Sequence, residues 1–369
     1  MLRTLVTLSI ALTLTSLVAA DSEILSVDVY VAGHGAYHTY RIPAIVRTLH
    51  GTLLAFCEGR KQGPQDWGDI DLLVKRSSDG GLSWSDPIVV ADFGADTVGN
   101  PAPVLDRTTG VVWLLMTSNP GTVREPDIQP GLSGPTRRVW VTFSKDDGRS
   151  WAPPREITAE VKLADWSWYA TGPVNGIQLR NGRLVIPCDH VRGPSRPHPQ
   201  RYSHVVYSDD HGTSWRLGGS VGPDCNESTV VELSDGTLML NMRSYAGRNR
   251  RAVAVSRDGG LSWSEPWFDE TLIEPVCQAS LLRVDRDSRV WLLFSNPAST
   301  ERVCMTVRAS LDEGRSWVHS RILHAGPAAY SNLVEVNEAT IGVLYERGST
   351  HPYERISFAR FPLRWLVDQ

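Results

Sequence analysis

Cysteine is scarce in this chain of 369 residues: there are five, at positions 57, 188, 225, 277 and 304, an odd number with no C-x-x-C pair. That spacing offers neither a dense disulfide framework nor a structural zinc site. The ten histidines include no H-E-x-x-H pair, so no catalytic metal and no cofactor is expected. Positive charge is not in excess either. A net charge of −4, with no basic stripe and no cationic amphipathic segment, excludes general nucleic-acid binding and attachment to a membrane surface. No long amphipathic helix can be traced, and beyond the first twenty residues no apolar run is long enough to span a bilayer. Those first twenty differ from the rest. A short positive start at Met1-Leu-Arg3, an apolar and hydroxyl-bearing stretch over 4–18, and small residues at Val18-Ala-Ala20 have the form of a secretory signal peptide. The chain is therefore expected to be exported, to the periplasm, the outside or the lysosome according to the organism.

What is present is a repeat. The pattern Ser-x-Asp-x-Gly-x-Ser-Trp occurs five times, at Ser77–Trp84, Ser144–Trp151, Ser208–Trp215, Ser256–Trp263 and Ser310–Trp317. Each position suits a tight turn between two strands: Asp accepts hydrogen bonds from its own turn, Gly allows positive φ, and Trp is an apolar anchor beneath. Successive copies start 67, 64, 48 and 54 residues apart, which with the flanking lengths divides the chain into about six units. Between the copies lie short apolar runs broken by turn residues, such as Gly51-Thr-Leu-Leu-Ala-Phe-Cys57 and Gly236-Thr-Leu-Met-Leu-Asn-Met242. These are strand signals. Units of this length with about four strands each suit an all-β, six-bladed β-propeller over residues 21–369 as one domain, in preference to a β-sandwich or β-helix. No linker interrupts the repeat, and Cys57, inside an apolar run, is expected to be buried.

Tyr40-Arg-Ile-Pro43 followed by five such boxes resembles the sialidase (neuraminidase) family, in which an Arg-Ile-Pro element precedes Asp-box repeats in a six-bladed propeller. The resemblance covers essentially all of residues 21–369. It implies three arginines that hold a substrate carboxylate, matched here by Arg41, by Arg243 in Asn241-Met-Arg-Ser-Tyr245, and by Arg308 in Thr306-Val-Arg-Ala-Ser310. The chemistry suits them, because a planar guanidinium binds a carboxylate bidentately where lysine would supply charge alone. The resemblance further implies Tyr330 as nucleophile, Glu227 as its partner base, and Glu346 as the ion-pair partner of Arg41. A neutral phenol avoids the repulsion that a carboxylate nucleophile would meet at the substrate's own carboxylate, and it needs a base because its ordinary pKa is near 10. Arg60 matches the arginine that closes the second strand. Asp66, on the Gly/Pro-bearing loop that follows, matches the acid/base, with Asp69 and Asp71 as competitors.

Asn100, in Asn100-Pro-Ala-Pro103, and Tyr169, in Trp168-Tyr-Ala-Thr171, fall where the family contacts the glycerol and N-acetyl groups. Asn226-Glu-Ser228 is also an N-glycosylation sequon, which would place Glu227 on an exposed loop. The expected activity is exo-acting hydrolysis of terminal α-linked sialic acids on sialylated glycans, by a monomer. Transfer to another sugar, intramolecular release of an anhydro product, and a non-catalytic glycan-binding propeller are the alternatives.

Overall fold

The computed structural model describes residues 24–286 and 288–367; the leader segment predicted over 1–20 lies outside them. The described residues form sheets that are antiparallel save for one parallel link between Ile70 and Thr97, with two short α-helices and one 3-10 turn, and no helix among them is long and apolar enough to cross a membrane. The strands group as six four-stranded blades. The first strands of the first four are Thr39–Arg47, Thr97–Leu105, Trp166–Thr171 (continued by Ile177–Gln178) and Cys225–Glu232. That of the fifth is Ser280–Arg286. The long strand His319–Asn337 serves twice, pairing with Val303–Ser310 as the last strand of blade 5 and with Thr340–Arg347 as the first strand of blade 6.

The ring closes through the N-terminal strand. Leu25–Val31 pairs antiparallel with Arg355–Pro362 and becomes the fourth strand of blade 6. This explains why six blades carry only five boxes. Each box is the turn from a blade's third strand to its fourth, and in blade 6 those two strands belong to opposite ends of the chain.

The boxes repeat one hydrogen-bond pattern. In the first, Asp79 Oδ1 accepts the N–H groups of Leu82 and Ser83 while Oδ2 accepts the Ser83 hydroxyl at 2.5 Å, and Gly81 N–H reaches the Ser77 hydroxyl. The tryptophans fill the seams between blades. Trp84 stands edge-on to Phe358 of blade 6, Trp151 to Phe56 of blade 1 and Trp215 to Trp113 of blade 2, while Trp317 sends its N–H to Asp269 of blade 4. A blade with a box thus buries an apolar anchor against its predecessor, which a four-stranded sheet could not do alone.

A second regularity sets up the functional end. Five first strands break register at the same end, at Arg41/Ala44, Gly99/Ala102, Trp166/Tyr169, Cys225/Ser228 and Ala328/Ser331. A bulge ends the strict alternation of a strand and re-aims side chains, so neighbours such as Asn226 and Glu227 both face the axis. Because strands within a blade run antiparallel, this end also holds the ends of the second strands and the turns between second and third strands. The boxes sit at the opposite end.

Buried amides separate the two mouths of the axis. Asn332 Oδ1 accepts the N–H of Ile45 and Asn175, and its Nδ2 donates to Asn175 Oδ1 at 2.6 Å. Gln278 Nε2 donates to the carbonyls of Pro173 and Ser331. On the box side lies a cavity of about 490 Å³ to whose wall the first strand of every blade contributes, through Ile45, Leu105, Ile177, Val231, Leu281 and Leu333 among others. All five cysteines are free thiols, and Cys57 is fully buried as expected.

The box carboxylates give a pH prediction. The Ser262 hydroxyl, followed by the Ser262 N–H and the Ser256 hydroxyl, pulls the Asp258 carboxyl down to about 2. Slight burial opposes the shift at Asp79 and Asp146, but their box donors also hold them at about 2. A carboxyl depressed in the folded state adds stability above its unfolded value, near 3.9, and loses it as pH falls toward the folded value. Thermal stability should therefore fall between pH 4 and about pH 2. Asp258→Asn should be less stable than wild type by about 1 kcal/mol at pH 7, with the gap closing by pH 2, as read by calorimetric melts across that range.

Candidate active site

A cavity of about 290 Å³ opens at the bulged end. Its floor is organised by a carboxylate with no exposure at all. Glu346, on the second strand of blade 6, accepts Arg41 Nε at 2.8 Å and the Ile42 N–H at 2.9 Å on one oxygen, and the Tyr330 N–H at 3.1 Å on the other. Ile42 is held at φ 62°, a conformation costly for a β-branched residue. The bond from its N–H to Glu346 helps to hold it there. Burial works against the Arg41 cation, but Glu346 together with Tyr353, Asp66 and Tyr330 outweighs it and keeps the guanidinium charged.

From Arg41 a chain of alternating charge runs across blade 1. Asp66 Oδ1 lies 3.7 Å from Arg41 Nη1 and 2.6 Å from Arg60 Nη2. Arg60 is in turn gripped by Glu58, which accepts its Nε at 3.1 Å and its Nη2 at 2.7 Å. Gly99 has no side chain for a reason: a Cβ there would stand 2.1 Å from Glu58 Oε1. Partial burial raises the Asp66 carboxyl, but the charges of Arg60 and then Arg41 override it and hold the group below the usual carboxylate range. Asp66 is 65% exposed and reachable from the cavity. The competing aspartates are committed elsewhere, Asp69 to Lys61 and Asp71 to Lys61 and the Tyr37 hydroxyl.

Opposite this chain stands a phenol–carboxylate pair. The Tyr330 hydroxyl donates to Glu227 Oε1 at 2.5 Å, and Arg243 Nη1 donates both to Glu227 Oε2 at 2.8 Å and to the Tyr330 oxygen at 3.1 Å. Burial, then the Glu227 charge, pushes the phenol well above its ordinary value despite Arg243 and Arg302. The group is therefore a neutral O–H with an acceptor in contact.

The far wall comes from blades 2 and 3. Arg137 donates to Asn100 and Asn119 and lies over the Trp168 ring at 4.2 Å, and burial lowers it to about 10. Asn100 sits at φ 55° and gives its N–H to Glu58. Burial, then the nearby Glu227, pushes the Asp189 carboxyl far up, and its Oδ2 accepts Asn226 Nδ2 at 2.8 Å and the Trp168 N–H at 3.1 Å. That bond settles the sequon: the Asn226 amide is buried in the wall, and Glu227 is not on an exposed loop.

Seven of the ten expected residues line this cavity: Arg41, Arg60, Asp66, Asn100, Glu227, Arg243 and Tyr330. Glu346 lies directly behind. Two expectations are corrected. Arg308 is not at the cavity; the third arginine there is Arg302. Arg308 lies near the box end of its strand, bonded to Asn296. Six residues of extended chain, about 20 Å, separate it from Arg302. Tyr169 is also absent from the lining. It is fully buried between Trp166 and His204, while its neighbour Trp168 turns to the cavity. Glu58, Glu125, Arg137, Asp189, Tyr245 and Tyr353 were missed. Arg302 immediately precedes the third strand of its blade, as Arg137 precedes Arg138–Ser144.

Fold and site together define a class: a six-bladed propeller whose bulged mouth gathers arginines around a tyrosine–glutamate pair. A family profile described as BNR repeat-like domain matches residues 51–343. The sialidase of Micromonospora viridifaciens is 35% identical over 92% of this chain, which spans 54% of that protein's length. An exo-alpha-sialidase of Aspergillus fumigatus is 34% identical over 90% of this chain and 86% of its own. The solved structure of Hadza microbial sialidase Hz136 superposes with a TM-score of 0.86 at 32% identity, covering 93% of this chain and 69% of that one. The chain belongs to the sialidase family, with its BNR repeats.

Removing the Glu346 carboxylate leaves Arg41 buried and unbalanced. Glu346→Ala should cost about 3–5 kcal/mol of unfolding free energy, and the pair Arg41→Met/Glu346→Met should recover only part of it, because the buried Ile42 and Tyr330 N–H groups still lose their acceptor. Urea unfolding of the three proteins measures both.

Proposed function

We propose that the protein is an exo-alpha-sialidase that releases terminal α-linked sialic acids from glycans with retention of configuration, as an exported protein. The observation that carries this reading is the Tyr330 hydroxyl donating to Glu227 at 2.5 Å beside Arg243. A buried phenol with its base in contact, next to clustered guanidiniums, suits attack on an anomeric carbon that bears a carboxylate. In this reading Arg41, Arg243 and Arg302 hold that carboxylate in the charge-assisted manner of guanidinium pairs.

Two displacements follow. The Tyr330 oxygen attacks the anomeric carbon as Glu227 takes the phenol proton, while Asp66 gives a proton to the departing glycosidic oxygen. Water then attacks the same carbon, Asp66 takes its proton, and the tyrosine oxygen leaves and regains its own from Glu227. Asp66 must be protonated for the first step, yet in the free site burial is outweighed by Arg60 and Arg41 and its pKa lies low. The fraction in the active form therefore grows as pH falls, so kcat/KM should rise from pH 8 down to about pH 5.

Turnover of 4-methylumbelliferyl α-sialoside tests the reading. Wild type should be active, Tyr330→Phe and Asp66→Ala should each lose at least about a hundredfold in kcat, and NMR should detect the α-anomer of sialic acid first. No wild-type turnover of any α-sialoside would end the claim.

A further inference from the structure

Two of the clustered arginines are joined by a tyrosine that the proposed reaction does not use. Tyr353 lies on the loop between the second and third strands of blade 6. Its ring covers the face of Arg41, with the guanidinium carbon 3.6 Å from the ring centre, and its hydroxyl accepts a hydrogen bond from Arg302 Nη1. Arg41 has its Nε and Nη2 on Glu346, so its plane is fixed from the edge and from the face, and its Nη1 is turned to Asp66 and the cavity. Arg302 has no such support: among the described residues no carboxylate lies within ion-pair distance of it. It also stands over the Tyr330 ring, 5.6 Å from its centre. The Tyr353 hydroxyl is the hydrogen-bond partner that fixes its position.

The loop itself is built without that hydroxyl. The Glu354 carboxylate accepts the N–H groups of Ser349, Thr350 and His351, and the Glu354 carbonyl accepts the Ala32 N–H from the closing strand side. The tyrosine is therefore carried by a braced turn and is not what braces it.

We propose that Tyr353 is a positioning residue that presets Arg41 and Arg302 as one carboxylate clamp, stacking on the first and anchoring the second. The proposal rests on the reading of the cavity as a sialic acid site. Without the anchor, the mobile Arg302 side chain would have to be ordered when the carboxylate binds, and ordering a long side chain costs affinity. The clamp holds the carboxylate in ground state and transition state alike, so its loss falls on KM more than on kcat.

The test uses the full chain with Tyr353→Phe, Tyr353→Leu, Arg302→Met and the double variant Tyr353→Phe/Arg302→Met. Binding of free sialic acid is measured by calorimetry and turnover with the methylumbelliferyl sialoside. Tyr353→Phe should weaken sialic acid binding and raise KM about tenfold, with kcat changed less than about twofold and the melting temperature unchanged. Tyr353→Leu should do more, since it also uncovers Arg41. In the Arg302→Met background, Tyr353→Phe should add nothing beyond a factor of about two. The proposal is overturned if Tyr353→Phe binds as tightly as wild type, if kcat falls at constant KM, or if the two substitutions multiply independently. Failure of wild type itself to bind sialic acid would sink the functional reading as well, which separates the two failures.

Discussion

The carboxylate of Glu346 is the point on which the site depends. It is wholly buried, and it receives the Arg41 side chain, the Ile42 backbone and the Tyr330 backbone. Arg41 and Glu346 are 305 positions apart, and they meet because blade 6 packs against blade 1 where the ring closes. One ionised group therefore fixes the guanidinium, the strained turn that presents it, and the strand that carries the phenol. A buried charge pair of this kind is poor evidence for stability. Its value lies in registration, since it sets the distance between a cation on one blade and a phenol on the next.

That seam is one instance of a division of labour along the axis. Each blade has a box end and a bulged end. At the box end, hydrogen bonds close on themselves within eight residues and tryptophans fill the seams, so the chemistry is local and repeated. At the bulged end the first strands lose their alternation and expose neighbouring side chains together, so nothing repeats. Arg41, Glu227, Tyr330 and Asn100 all lie at such breaks. The repeated element is what keeps six unlike loops at constant spacing.

This division also explains what could be read from the chain in advance. The five boxes announce blade number because their donors and acceptors are sequence neighbours. The ring closure by Leu25–Val31 has no local signature, although it accounts for the missing sixth box. Residues embedded in distinctive strings, such as Arg41 before Ile42-Pro43 or Glu227 after Asp224-Cys-Asn226, fell at the cavity. Arg308 sits two residues before a box, and a box marks the end of the blade opposite the site. Tyr169 misled by a single position, since the break between Trp166 and Tyr169 decides which neighbour turns inward. Asp189, Arg137 and Glu58 could not have been chosen from sequence. Their roles come from partners in other strands and blades.

The electrostatics of the free site pose a conflict that the proposed substrate would itself resolve. A residue that protonates a leaving group should hold its proton near working pH, yet Asp66 is drawn to Arg60 and Arg41 and depressed by them. In the free site Asp66 is a second negative neighbour of Arg41 and Arg60, beside their own partners Glu346 and Glu58. A substrate carboxylate arriving at Arg41 would take over that function. It would neutralise part of the field on Asp66, add a like charge nearby, and so raise the tendency of Asp66 to hold a proton. Glu58 limits the opposing pull by occupying two donors of Arg60. On this account the clamp and the acid are not independent parts: filling the first readies the second, and an empty site keeps its acid ionised.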